Sequence, residues 1–357
     1  MARATLGLIL GTIAITAAAL SGPVRAASSP TPATAETTTI TLVPHRAIYD
    51  LKLAQSHGQK AIEAVRGRIL YDFSGSPCDG YALQFRQVSE LDNGEGKISL
   101  SDLRAATWED GTAKSFRFNS ENYVNREKVD VVDGHAERGA GQLAVKLSKP
   151  KDATFNLDVD MVFPTEHIRR IIEAARAGQT ILEFPVYDGS ETGEKVYNTL
   201  TVIGREIHPG DKAPTDAAAG KPALKGLKRW PVTISYFDKN SKPGTGEQTP
   251  AYAISFELYE NGISRALILD YGDFSVKGDM TQLDIKGAAQ CKAGDARPRT
   301  APAHASAAKR LASLSDGHSR VAELHSGRKH STCTSRASRA GQACLRAHHR
   351  GTRLAKG

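Results

Sequence analysis

Hydrophobic positions along most of this chain recur with a period of two. Tyr49, Leu51 and Leu53 alternate with polar neighbours, as do Tyr81, Leu83 and Phe85, Phe116 and Phe118, Leu143, Val145 and Leu147, Leu200 and Val202, and Ile254, Phe256 and Leu258. That is the alternation of half-buried strands, whose successive side chains point to opposite faces of a sheet. Turn signals fall between them at a spacing of about ten residues: Ser74-Gly75-Ser76-Pro77, Asp92-Asn93-Gly94, Asp110-Gly111, Asp133-Gly134, Asp188-Gly189, Asn261-Gly262 and Lys277-Gly278-Asp279. Asn-Gly between two alternating runs is the strongest short-range hairpin signal. The pattern predicts an all-β fold, a long antiparallel meander with neighbouring strands paired in order. Two polar stretches, 210–226 and 239–250, read as solvent-exposed loops around the strand RWPVTISYF.

One segment departs from this texture. In FPTEHIRRIIEAARAGQ, Ile168, Ile171, Ile172 and Ala175 stand at i, i+3, i+4 and i+7, with Pro164 and Thr165 at a start and Gly178 just past an end. The spacing predicts an amphipathic helix. Glu166, Arg169, Arg170, Glu173 and Arg176 occupy its other face, so the apolar stripe is free to plug the concave side of a sheet.

Composition refines the picture. The chain has 357 residues, 40% of them hydrophobic, enough for one large domain. Its net charge of +8 is unevenly placed: residues 1–26 carry +2, 27–296 carry −5 and 297–357 carry +11. Residues 1–26, with Arg3, an apolar stretch from Leu6 to Leu20 and Val24-Arg25-Ala26, read as a secretory signal cleaved after about Ala26. No later apolar run approaches the roughly 20 residues that a membrane-crossing helix needs. Residues 27–39 read as a flexible Ser/Thr/Pro/Ala-rich leader, 40–295 as the folded domain and 296–357 as a basic disordered tail. The last 61 residues lack Phe, Tyr, Trp, Ile and Met. The tail could serve as a cationic arm for an anionic envelope surface, or be an appendage with little selected role.

Export changes the meaning of the cysteines. Cys78 and Cys291 lie in the body, Cys333 and Cys344 in the tail. In an oxidising compartment the body pair points to a disulfide. The alternative, a reactive Cys78 nucleophile, has no His and acid partner assignable from sequence.

Catalytic and metal motifs amount to near-misses. His135-Ala136-Glu137 lacks the P-C-x-x-C that would complete a zinc deaminase signature. Gly189-Ser190-Glu191-Thr192-Gly193 does not place Ser as a nucleophile elbow requires. Asp270, Asp273 and Asp279 cluster at turns, where carboxylates ordinarily face solvent. Basic residues of the body are dispersed, without the interleaved aromatics of a nucleic-acid platform. The expectation is no enzyme, no metal, no cofactor and no nucleic acid.

Several long stretches, PHRAIYDLKL (44–53), GRILYDFSGSPCDGYALQFR (67–86), the segment 163–199 around the helix, and ENGISRALILDYGDFSVKGDMTQLD (260–284), resemble the EipB family of periplasmic cell-envelope integrity proteins of alphaproteobacteria. The likeness spans roughly residues 40–292 and leaves out leader and tail. It implies a many-stranded antiparallel β-spiral, an open, broken barrel with one internal helix on Thr165–Ala177 and a disulfide between Cys78 and Cys291. It also implies a non-catalytic periplasmic role in envelope integrity under stress, exercised through protein partners, a tetratricopeptide-repeat protein among them. The leading expectation is therefore a disulfide-stapled scaffold. The rival is a carrier of lipid or another apolar ligand, which requires an apolar cavity not filled by Ile168, Ile171 and Ile172.

Overall fold

The alternating runs form fourteen strands, and the computed structural model that shows them describes residues 40–57, 62–211, 213–240 and 248–287. The signal, the leader, Cys291 and the tail lie outside the described residues, which all fall within the first of two units, Met1–Arg297. The strands are β1 (His45–Ser56), β2 (Ala64–Ser76), β3 (Gly80–Asp92), β4 (Ile98–Glu109), β5 (Ser115–Val124), β6 (Glu127–Arg138), β7 (Gln142–Lys149) and β8 (Ala153–Asp158). Helix α1 (Pro164–Arg176) follows, then β9 (Ile181–Val186), β10 (Tyr197–Ile203), β11 (Arg229–Asp238), β12 (Tyr252–Tyr259), β13 (Ser264–Asp270) and β14 (Phe274–Ile285).

All fourteen belong to one antiparallel sheet, in the order β8 to β1 and then β14 to β9. Sequence neighbours pair within each half, as expected, but the halves are joined by the first and last strands, from His45↔Ile285 to Ser56↔Phe274. The two sequence neighbours β8 and β9 are instead the sheet's edges, linked by α1. The sheet is open, and among the described residues the strand-like contact at its seam is local: Val162 pairs with Val186, its N–H donating to the Pro185 carbonyl at 2.8 Å while Tyr187 N–H donates to the Val162 carbonyl at 3.0 Å.

A sheet this wide coils, and its inner face closes over α1. Ile171, Ile172, Ala174 and Ala175 share one buried cluster with Phe73 and Tyr81 of β2 and β3 and with Trp230, Val232 and Leu258 of β11 and β12. A second cluster joins Phe116, Phe118, Leu143, Val145 and Leu147 of β5 and β7 to Phe163 and Tyr187 beside the seam.

Three loop expectations are corrected. Asp133-Gly134 lies inside β6, at a bulge in its pairing with β7, and a side chain on Gly134 would come within 2.7 Å of the Phe118 ring. Lys277-Gly278-Asp279 lies inside β14, where Gly278 faces Leu51 and Leu267 on the two flanking strands. Gly marks close packing in both strands, not a turn. Residues 210–226 are not simply solvent-exposed: Asp216, Ala218, Ala219 and Leu224 are buried there. Two short 3₁₀ turns, Ala217–Gly220 and Pro222–Leu224, bring these residues against Met280 and Leu283 of β14.

Asp216 explains why that loop docks. Its carboxylate accepts from Arg265 at 2.8 Å and from the N–H groups of Ala266 and Met280 at 3.3 Å, where the β13–β14 ladder has opened ahead of Leu267↔Gly278. Arg265 also pairs with Glu257, which takes Arg229 at 2.7 Å. The buried charges are thus matched, as burial requires.

Gly134→Val should lower stability by about 1–3 kcal/mol through overpacking. Gly139→Ala, whose nearest neighbour would be 3.6 Å away, should leave it within about 0.5 kcal/mol. Urea midpoints of the two variants check this.

Candidate functional site

The interior of the curl is built around α1, whose first turn has an unusual cap. Phe163, the N-cap, has no side-chain oxygen to offer the helix N-terminus. Pro164 carries no N–H, and the N–H of Phe163 is 3.5 Å from Glu166 Oε2. The remaining two donors, Thr165 and Glu166, are both taken at 2.7 Å by the two carboxylate oxygens of Glu109, the last residue of β4. His167 N–H then makes the first helical bond to the Phe163 carbonyl at 2.8 Å. All the free donors of a buried helix start are accounted for.

Glu109 is 1% exposed. Burial pushes its carboxyl up to about 7, against the opposing pull of the backbone bonds and of Arg169. Arg169 itself donates to the Gly111 carbonyl at 3.0 Å, tying the helix to the β4–β5 turn. Glu166, placed on the polar face by its spacing, is instead buried. It pairs with Arg138 of β6 at 3.1 Å and Arg170 at 2.6 Å, and Arg138 also donates to the Met161 carbonyl and lies over the Phe163 ring. His167, unremarked by the apolar pattern, is 3% exposed, meets Phe184 edge-on and stands 3.5 Å from Thr201 Oγ1. Burial lowers its imidazole to about 4, so it is neutral at ordinary pH.

Ile171 and Ile172 are fully buried and Ala175 is buried, whereas Ile168 is only partly so. Ile168 stands instead at the wall of a cavity of about 370 Å³. That cavity lies between β1–β3 on one side and β11–β13 on the other, with Tyr49, Tyr71, Phe85, Tyr236, Ile254 and Phe256 among its lining. Tyr236 and Tyr252 stack at 4.4 Å, and His45 lies on Tyr71 with its Nδ1 2.7 Å from the Val43 carbonyl. Burial lowers His45 as well.

Cys78 follows β2 in the turn to β3 and is disulfide-bonded. Cys291, the partner expected for it, lies outside the described residues, as do Cys333 and Cys344. The carboxylates of the late turns do not converge: Asp270 accepts from Gly272 N–H at 2.8 Å, while Asp279 is paired with Lys52 and Lys277. His135 and Glu137 project outward and exposed from β6. Among the described residues no three metal-ligating side chains come together, and no helix is long and apolar enough to cross a membrane.

Comparison with known proteins gives a consistent result. The model of a family described as EipB-like matches residues 36–287. A curated relative, the cell envelope integrity protein EipB of Brucella abortus (strain 2308), is 39% identical over 256 residues, 71% of this chain and 88% of that protein. A crystal structure from Brucella abortus, described as a β-barrel-like protein of a domain of unknown function, matches with a TM-score of 0.63 and 39% identity, covering 69% of this chain and 99% of that one.

Two outcomes test the helix anchoring. Ile171→Ala should cost about 2–5 kcal/mol and Ile168→Ala clearly less, read as urea unfolding free energies. For Glu109, a folded value raised above the ordinary 4.5 means that its contribution to stability is full below that value and is lost as pH rises to about 7. The stability of wild type relative to Glu109→Gln should therefore fall between pH 4.5 and 7; a difference that is flat or rises with pH would contradict the buried carboxyl.

Proposed function

Because the chain belongs to the EipB-like family, we propose that it acts in the periplasm as a non-catalytic scaffold for cell-envelope integrity, exported by its signal and working through protein partners. The observation that carries this reading is the use made of the interior. Part of the space where a barrel would hold a reacting group is taken by α1, fixed at its start to the sheet wall by Glu109, and the part left open is lined mainly by apolar and aromatic side chains. Of the chemistry-bearing residues singled out by sequence, Asp270 holds a turn, Asp279 is paired with Lys52 and Lys277, and His135 and Glu137 stand exposed on β6. What the shape presents outward is two short edges, β8 and β9, with Ile181 62% exposed on the latter. An edge of this kind can take an extended segment of a partner. The tetratricopeptide-repeat partner and the cationic tail as an arm for anionic envelope surfaces both belong to this reading.

The staple belongs to it too. The register places Ile285 opposite His45, and His45 opposite Phe73, so the end of β14 and the approach to Cys78 lie at the same end of the sheet. Cys291 comes six residues after Ile285. Six extended residues span up to about 20 Å, and two strand spacings are about 10 Å, so a Cys78–Cys291 bridge is within reach. Such a bridge would close a long loop and restrict the unfolded chain by up to about 5 kcal/mol.

Cys78→Ser should lower the melting temperature of the mature protein and the envelope-stress tolerance of cells that carry it, and dithiothreitol should reproduce the first effect. A melt unchanged by reduction would refute the staple. Affinity capture from periplasm should recover a repeat protein with the wild type; loss of that partner when Ile181 is replaced by Lys would place the contact at the β9 edge, and retention would place it elsewhere.

A further inference from the structure

We infer that the cavity beside Ile168 is a binding site for a single hydrocarbon chain whose polar end is neutral or cationic, a role that does not depend on the capture of a protein partner. At about 370 Å³ the cavity lies at the low end of the roughly 300–1,000 Å³ of small-ligand sites, room for one chain rather than the two of a diacyl lipid.

Its surface is chosen for apolar contact. Facing walls contribute Tyr49, Tyr71 and Phe85 from one half of the sheet, and Tyr236, Ile254 and Phe256 from the other. A void of this size inside a well-packed protein forfeits dispersion contacts on every side, a cost that an apolar occupant removes. The cavity also reaches solvent. Tyr271, 42% exposed, lies at its rim with Asp270, and the Tyr271 hydroxyl stands 3.4 Å from Gln87 Nε2 of β3, so the rim is bridged by side chains rather than sealed by backbone.

Charge selects the head group. Asp270 is the one acidic side chain among the described residues lining the cavity, and neither Lys nor Arg is among them. His45, the remaining titratable nitrogen there, is kept neutral by burial. A carboxylate or phosphate monoester at the rim would meet a like charge without a compensating cation, whereas an alcohol, an amide or a quaternary ammonium would not. The tyrosine faces favour the last of these further.

The test uses the mature full-length protein and two sets of soluble probes, each below its micelle concentration. Hexanol, octanol and decanol measure the chain; decyltrimethylammonium and decanoate measure the head. Calorimetry should show one site, with affinity rising roughly fourfold per added methylene. Decyltrimethylammonium should bind at least tenfold more tightly than decanoate. Asp270→Asn, which keeps an oxygen for the Gly272 turn bond, should narrow that ratio while leaving decanol unchanged. Ile254→Trp, which fills the cavity, should abolish binding of all three decyl probes, and its unliganded melting curve reports whether the fold is intact. The inference is overturned by affinity that does not grow with chain length, by decanoate matching decyltrimethylammonium in the wild type, or by undiminished decanol binding in a folded Ile254→Trp protein.

Discussion

A helix buried inside a coiled sheet must have its first-turn N–H groups satisfied without water, and here a single carboxylate meets that demand. Glu109 accepts from both Thr165 and Glu166 at 2.7 Å, from the end of a strand more than fifty residues earlier in the chain. A capping Ser or Thr would have been local, satisfying the same donors without tying the helix start to the sheet. The distant carboxylate instead fixes where along β4 the helix begins, and hence which residues of the stripe reach the core. Because it sits against the positive end of the helix, the carboxylate is stabilised where it is buried, although not enough to cancel the cost of burial.

The same economy governs the chain path. With β1 paired to β14, the two halves of the sheet grow outward from the middle, and the segment between them, β8–α1–β9, has to cross from one edge to the other. Crossing through the interior lets α1 bury its stripe and lets Val162 lean on Val186, so that the connection itself tethers the open seam. Lys239, just past β11, reaches Asp158 at the end of β8 at 2.9 Å and adds an exposed, and therefore weak, tie across the seam. Opposite the seam, Asp216 fills a gap in the β13–β14 ladder with its carboxylate oxygens, substituting a loop for missing strand pairing.

Strand positions and the helix could be read from the sequence because both are carried by periodicity, which is a property of neighbouring residues. The order β8 to β1 followed by β14 to β9 could not, since nothing local distinguishes a meander that ends at an edge from one whose ends meet in the centre. Asp133-Gly134 and Gly278-Asp279 read as turns because Asp-Gly and Gly-Asp look alike whether Gly supplies a turn or makes room for Phe118 or Leu51. Glu109 left one signal: a helix start at Phe163 with no Ser, Thr, Asp or Asn before it needs an acceptor from elsewhere. Spacing puts Glu166 on the charged face of the helix, and its burial is made tolerable by Arg170 on that face and by the approach of Arg138 from β6, which no local pattern shows. The cavity had no sequence signal, because it is the difference between two lengths.

Those lengths can be compared. A helix of 13 residues is about 20 Å long at 1.5 Å per residue, whereas β2 and β3, with 13 residues each, extend about 43 Å at 3.3 Å per residue. Even after strand tilt shortens the sheet along the axis of the curl, α1 lines only part of it. Beyond Ile168 the inner face is covered by strand side chains and by the docked 216–224 segment, and the residues at the cavity are large: Tyr71, Phe85, Tyr236, Tyr252 and Phe256. Rings are rigid and stack in pairs, as Tyr236 does on Tyr252, so they bridge a gap from both walls without filling it to the density of an aliphatic core. The void is therefore a consequence of plugging a long curl with a short helix, and its apolar character follows from the same alternation that built the strands.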